Sequence, residues 1–411
     1  MRLTRRGLLG TSLGAGAALG LIGRADAAAV LRIGVLTDLS GPLRDTTGPG
    51  SVAAATLAVR EFVAENPDIA VQVVAADHQN KPDVAVTIAR QWMDRDGVDA
   101  ITDVGNSAVA LGCSTVAAEK DKVLLATSPG LGDLTGKACT PNRVHWTFNT
   151  YTIAHTISSA VVGRGGRSWF IVAPNYAGGQ TLLDTTTEFV EAAGGKVVGS
   201  VRYPFPDTKD FSSYLLQAQA SGARVVAFAN GGDDMVNSVK QAHEFGLTRG
   251  GQQLVVLASN ALSIALAGLE AMQGVIVTET FYWDLNDRTR AFRRRVQPLM
   301  PSGQFPNSLH AGNYAAVRHY LKAVKALGPE AAKASGRAAV ARMKALPTDD
   351  DCFGPGEVRA DGRTVHPNYL WQAKTPAESR GWDDVLTLLA TTPAAEAFLP
   401  LSRSACPLVR S

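Results

Sequence analysis

Nine apolar runs of strand length punctuate the chain, at Leu31–Leu36, Val71–Ala76, Ala100–Val104, Val123–Ala126, Trp169–Ala173, Val197–Val201, Val225–Ala229, Leu254–Ala258 and Val275–Thr278. Most are continuous rather than alternating. Strands buried on both faces of a parallel sheet read this way. The stretches between them have helical spacing. Val52, Ala55, Val59, Phe62 and Val63 share one helix face, as do Val84, Ile88 and Trp92, and Phe211, Tyr214, Leu215 and Ala218. Gly222 and Gly246 mark helix ends, and Pro82 suits a first helical turn. Strands alternating with helices predict an α/β protein with doubly wound parallel sheets and right-handed crossovers.

The pattern runs twice, over about residues 30–140 and again over about 167–258. Between the two series lies "RVHWTFNT", which carries no turn signal and reads as a crossover strand. From Val275 the spacing loosens into a long helix from about Asn307 to Leu327 and an irregular tail. The expected division is one lobe of residues 28–144 plus about 275–335, and a second of 145–274 plus about 336–411. A cleft between two such lobes is a favoured ligand site, because strand C-terminal ends from both sheets face it.

Composition changes this picture at the N-terminus. Residues 1–27 read as a twin-arginine secretory signal: Arg5 and Arg6, an apolar segment to Gly23, and a small-x-small site at Ala25-Asp26-Ala27. The competing reading is a membrane anchor, disfavoured by a short stretch rich in Gly and Ala. Those residues carry Arg2, Arg5, Arg6 and Arg24 against Asp26, which equals the +3 of the whole chain. The remainder is neutral, so charge gives no pointer to nucleic acid. Five arginines from Arg288 to Arg295 read as the outer face of a helix that buries Phe292 and Val296. No Cys near the cleavage site offers lipid attachment, so the expected product is a soluble, monomeric periplasmic protein. In that compartment Cys113, Cys139, Cys352 and Cys406 are candidate disulfide cysteines, with three connectivities open and buried free thiols as the alternative.

The loop "TDLSGPLRDTTGPGSV" (37–52) follows the first strand. It lacks G-x-G-x-x-G and the Lys-Ser/Thr of a P-loop, so it is no nucleotide cradle. Ser40, Thr46, Thr47, Arg44 and a helix start at Gly48-Pro49-Gly50 suit an organic anion, against a simple capped turn. Arg44, Asp45 and Thr46 are the residues expected to face a ligand. No nucleophile–base pair, zinc spacing or cofactor motif is legible, and Asp77-His78-Gln79-Asn80 reads as a polar turn into a helix. Other strand ends carry hydroxyls, amides and aromatics: Asn106-Ser107, Thr127-Ser128, Asn175-Tyr176, Asn230 with Asp233, Ser259-Asn260, and Phe281-Tyr282-Trp283. Each could be an N-cap alone. Together they suit reversible binding of a small molecule better than catalysis.

These strand ends carry a resemblance. "RIGVLTDLSGP", "VVAADHQNKPDVAV", "GVDAITDVGNSAVALG", "VLLATSPGLGDLTG", "SWFIVAPNYAGG", "DFSSYLLQAQASGARVVAFAN" and "VNSVKQAHEFGL" follow one another as in the periplasmic solute-binding proteins of branched-chain amino acid ABC importers. The chain resembles that family over nearly all of its mature length. The resemblance implies two α/β lobes joined by three crossovers (the type I periplasmic binding protein fold) that close on a ligand by hinge bending. It implies no enzyme activity, no cofactor, and an inner-membrane permease and ATPase as partners.

The family's ligand-carboxylate serine falls on Ser107. Its neighbouring strand end matches Ser128 to Gly130, with Gly130 where the family often has Thr. Gly178 stands in the family's "Tyr-Gly" place, with Tyr176 two residues earlier. Members that bind α-amino acids carry an acid near Asn260, which is neutral here, and Asp233 is a candidate substitute. The expected ligand-binding set is therefore Arg44, Asp45, Thr46, Asn106, Ser107, Ser128, Gly130, Tyr176, Asn230, Asp233, Asn260 and Tyr282. The expected ligand is a small organic acid, an aromatic one included, with a hydrophobic amino acid second. A ligand sensor feeding a receptor and a periplasmic hydrolase are the competing functions.

Overall fold

The computed structural model describes residues 30–205 and 207–409. The expected signal segment lies outside the described residues. In the first lobe β1 (Leu31–Thr37), β2 (Val71–Asp77), β3 (Ala100–Asp103), β4 (Val123–Ala126) and β5 (Arg143–His145) form a parallel sheet in the order β2-β1-β3-β4-β5. In the second, β6 (Ser168–Pro174), β7 (Lys196–Tyr203), β8 (Val225–Phe228), β9 (Gln253–Val256) and β10 (Ile276–Glu279) run parallel. All nine expected strands are present. The central ones, β3, β4, β8 and β10, are buried throughout. β7 lies at a sheet edge and alternates exposed and half-buried positions, because only one of its faces is covered.

Each sheet is covered on both faces. On one side of the first sheet Leu31, Ile33, Val35 and Leu125 pack against helices Gly48–Glu65 and Ser308–Leu327. On the other, Leu36, Ile101 and Leu124 meet Trp92, Val109 and Val116 of helices Pro82–Asp94 and Ser107–Glu119. The second sheet is sandwiched the same way.

The C-terminal third differs from the sequence reading. β10 pairs with β9, so residues from 275 to Glu279 belong to the second lobe and the return crossing follows them. Helix Gly336–Ala345 belongs to the first lobe: it packs on helix Ser308–Leu327, and its cap Ser335 donates to Asp121 (2.7 Å). The tail is not irregular. β11 (Thr348–Asp350), β12 (Gly354–Val358) and β13 (Thr364–Val365) make a small antiparallel sheet. β14 (Asn368–Ala373) and β15 (Leu386–Thr392) then extend the second sheet antiparallel, beside β10. Short strands with Pro, Gly and Asp among them leave little periodicity in the sequence.

The chain therefore crosses between lobes after His145, after Glu279 and after Val365. Arg363 binds two of these crossings together. It is fully buried, and its guanidinium donates to the carbonyls of Trp146 (2.8 Å), Phe148 (3.4 Å) and Thr364 (3.0 Å). The disulfide joins Cys139 to Cys406, which ties the tail back to the first lobe. Cys113 and Cys352 are buried free thiols packed in the two first-lobe cores, so the wider set of disulfide candidates narrows to one pair.

The helix Asp287–Val296 does bury Phe292 and Val296. Four of its arginines, Arg288, Arg290, Arg293 and Arg295, are ion-paired rather than merely solvated, for example Arg295 with Glu61 and Asp351. Among the described residues no helix is long and apolar enough to cross a membrane.

Candidate functional site

The C-terminal ends of both sheets turn toward one cleft. A Cβ placed on Gly232, at the start of the second-lobe helix Gly232–Glu244, would lie 3.9 Å from the Pro42 carbonyl of the first-lobe loop. Its neighbour Gly231 approaches the Ala258 carbonyl so closely that a Cβ there would stand 2.7 Å away. This double glycine lets the helix start come close to both surfaces.

On the first lobe, Asp38 and Asp77 shape the loop. Asp38 accepts from the amides of Gly41 (2.7 Å) and Leu43 (2.9 Å). Asp77 accepts from the Leu39 amide (3.0 Å) and the Ser40 hydroxyl (2.6 Å). The hydroxyls of Thr46 and Thr47 both donate to the Leu43 carbonyl. The hydroxyls of Thr46 and Thr47 are therefore spent on the loop's own backbone and that of Ser40 on Asp77, so the anion cradle expected from them is not formed. Arg44 and Asp45 are exposed and pair with each other at 3.2 Å. The loop is a lip of the cleft rather than its floor.

Asn106 caps the helix Ser107–Glu119, accepting from the amides of Ala108 (2.8 Å) and Val109 (3.4 Å). Its amide nitrogen donates to Asn80 (2.8 Å). Ser107 stands next, half-buried, and its hydroxyl has no hydrogen-bond partner among the described residues. Ser128 is buried, and its hydroxyl bonds to Asp103. Gly130 leaves room for Phe148, whose ring would lie 3.3 Å from a Cβ there, and its carbonyl accepts from the Thr150 amide (2.8 Å). Asn106, Ser107, Ser128 and Gly130 thus share the strand-end surface of the first lobe.

The second lobe contributes differently from expectation. Tyr176 is 49% exposed and packs on Phe205, 44% exposed, with ring centroids 4.9 Å apart. Phe205 follows β7 and was not anticipated. Asn230 is buried; its amide nitrogen donates to Ser238 (3.2 Å) and its carbonyl oxygen has no partner. Asp233 is exposed, whereas Asp234 is buried and accepts from the Tyr203 hydroxyl (2.8 Å). One helical residue is a turn of about 100°, which is why the inward acid is the neighbour. Asn260 caps the next helix through the Ser263 amide (3.0 Å).

Tyr282 is not a site residue. It is buried in the second-lobe core against Trp371, donates to the Asp383 carbonyl (3.0 Å) and accepts from the Val385 amide (3.0 Å). The return crossing turns it inward before the chain leaves the lobe.

An acid does stand beside Asn260, supplied by another strand end. Glu279 is buried and accepts from the Ala261 amide at 2.6 Å. Burial lifts its carboxyl to about 8, partly offset by the nearby Ser308 hydroxyl and the Ala261 amide. It is therefore uncharged at neutral pH. A raised native value means the folded state binds the extra proton, so its contribution is present at low pH and is lost as pH rises from about 4.5 to about 8. Glu279→Gln removes that dependence. Melting temperatures recorded across this window should show the variant gaining on the wild type as pH rises, and parallel curves would contradict the assignment.

The chain is similar to known proteins over most of its length. Residues 30–380 match the family model described as periplasmic binding protein. A periplasmic binding protein from Burkholderia mallei is 39% identical, with 92% of this chain and 99% of that chain covered and a TM-score of 0.85. A branched chain amino acid ABC transporter periplasmic ligand-binding protein from Burkholderia xenovorans LB400 is also 39% identical, covering 92% and 100%, with a TM-score of 0.85. A solute-binding protein of an R. palustris ABC transporter, in complex with benzoate, shares the fold at 21% identity, covering 89% and 97%, with a TM-score of 0.77. No curated protein sequence matches the chain.

Proposed function

This chain belongs to the periplasmic binding protein family, and from that premise we propose that it captures a small organic acid, preferentially aromatic, between its lobes. It then delivers the ligand, as a monomer in the periplasm, to the permease and ATPase of an ABC importer. The observation that carries the ligand class is the pairing of two unlike walls. On one lobe the Ser107 hydroxyl is unengaged at the start of a 13-residue helix, where a carboxylate gains from that hydroxyl and the helix dipole, the amides of Ala108 and Val109 being held by Asn106. On the other lobe the exposed Tyr176–Phe205 pair offers ring faces to an apolar body. The Glu279 carboxyl is uncharged at neutral pH, which suits a ligand without an ammonium group. Benzoate bound to the R. palustris protein supports the same class.

The second reading is a hydrophobic amino acid. The name of the Burkholderia xenovorans relative favours it, and Asp234 is the acid that would meet the ammonium. Calorimetric titration with benzoate and with leucine separates the two. Benzoate should bind more tightly, and tighter leucine binding reverses the order. Ser107→Ala should weaken benzoate by about 1–3 kcal/mol, the worth of a hydrogen bond to a charged group. An unchanged affinity removes Ser107 from the site.

A further inference from the structure

Beneath the first-lobe surface, under Ser128, lies a buried polar cluster. Asp103 closes β3 and His78 follows β2; both are fully buried. The backbone around them is left-handed at four non-glycine positions: Gln79 (φ 52°), Asn80 (φ 56°), Asp103 (φ 83°) and Val104 (φ 57°). Such backbone costs about 1–3 kcal/mol per residue and persists where the surroundings demand it. A β-branched residue such as Val104 tolerates it least. The outcome of this strain is that the Asp103 carboxyl lies under Ser128, bonded to its hydroxyl through Oδ1. Asp103 Oδ2 and His78 Nε2 are both buried without a partner.

Which group holds a proton follows from geometry. His78 Nδ1 accepts from the Asn80 amide at 3.0 Å, so that nitrogen keeps its lone pair and the imidazole carries its single proton on Nε2. Protonating Nδ1 would break that bond. The charged groups facing the pair are all acids: Asp38 and Asp77 act on His78 alongside Asp103, and the hydroxyls of Ser128, Thr37 and Ser51 surround Asp103. No lysine or arginine is among these neighbours. These acids favour a proton on either group, and because His78 would give up its bond from the Asn80 amide to take it, the proton goes to Asp103. Burial pushes Asp103 above the usual carboxylate value and His78 below the usual imidazole value, which agrees with that choice.

We infer that Asp103 is a positioning residue that sets the direction of the Ser128 hydroxyl according to its own protonation. As a carboxylate, Asp103 accepts the Ser128 O–H, and Ser128 turns only lone pairs toward the cleft. When Asp103 takes one proton from solvent, its own O–H donates to Ser128 Oγ. The Ser128 O–H is then released to donate to the ligand carboxylate. The one bond made is the Asp103 O–H, from a solvent proton, and it breaks again when the ligand leaves and the proton returns to solvent. This rests on the reading that a carboxylate binds in this cleft. Its consequence is that anion capture takes up a proton and strengthens as pH falls.

The test uses benzoate as the probe and calorimetry in two buffers of different ionisation enthalpy. Wild type should take up a measurable fraction of one proton per benzoate, with Kd about tenfold lower near pH 5.5 than near pH 7.5. Asp103→Asn places a permanent amide donor beneath Ser128. It should bind benzoate near pH 7.5 as tightly as wild type does near pH 5.5, and lose the pH dependence. Absence of proton uptake in the wild type, or a variant that follows the wild-type pH curve, overturns the inference. Proton uptake in the wild type keeps the test valid where the variant does not fold. If benzoate binds at no pH, the ligand reading fails separately. The carboxyl carbon shift of Asp103 in the ligand-free protein then decides: a midpoint above the ordinary carboxylate value of about 4 supports the inference, and one at or below it ends the inference.

Discussion

Replacing Arg363 with methionine should cost about 3–5 kcal/mol of stability, since three carbonyls lose a guanidinium donor worth about 1–3 kcal/mol each, one of them keeps its contact with His366, and methionine fills only the volume. Those carbonyls belong to Trp146, Phe148 and Thr364. The first two lie on the first crossing between the lobes. Thr364 lies just before the third. Phe398 covers the guanidinium, with its ring centroid 4.5 Å from Cζ. His366 adds a second contact to the Trp146 carbonyl, at 3.0 Å. Arg363 therefore acts as the pin of the hinge rather than as a charge awaiting an acid. Urea denaturation of Arg363→Met measures the loss directly. A change under about 1 kcal/mol, within the usual range for surface substitutions, would mean that the crossings are held by something else.

Removing the Cys139–Cys406 disulfide should cost about 2–5 kcal/mol, as expected when a long loop is released in the unfolded chain. The two cysteines are 267 positions apart in sequence. The tail between β15 and Cys406 has modest anchors of its own. Phe398 and Ala397 pack on Val365, Arg359 donates to the Leu399 carbonyl (2.9 Å), and Ser404 reaches the Thr135 carbonyl at 3.5 Å. These hold the tail near the third crossing, and the disulfide secures its end to the first lobe. Cys139→Ser with Cys406→Ser should melt lower than the wild type, and adding reductant should then change nothing further. A wild-type melting temperature that stays constant while the Cys139–Cys406 disulfide is reduced would contradict this role.

The parallel strands were legible because burial on both faces forces continuous apolar runs, and the long helix because Asn307 and Gly328 bracket its apolar face. β14 and β15 were not, since antiparallel strands at a sheet margin carry polar residues and no helix separates them. The candidate site was legible as strand ends but not as side-chain directions. Asp233 and Tyr282 have the right chemistry in the right segments, yet one points to solvent and the other into the core. Glu279 escaped notice because its neighbour in space, Asn260, is 19 residues away in sequence. The left-handed turn at Asp103 and Val104 leaves no glycine to mark it, so the inward carboxylate had no sequence signal.

Capture of a carboxylate between the lobes is tested most directly by a crystal structure with benzoate bound. The ligand should lie between the strand ends of the two sheets. Its carboxylate should be within hydrogen-bond distance of the Ser107 hydroxyl and near Ser128, and its ring against Tyr176. Benzoate bound outside the cleft, or held with its carboxylate toward Tyr176 and its ring toward Ser107, would contradict that assignment.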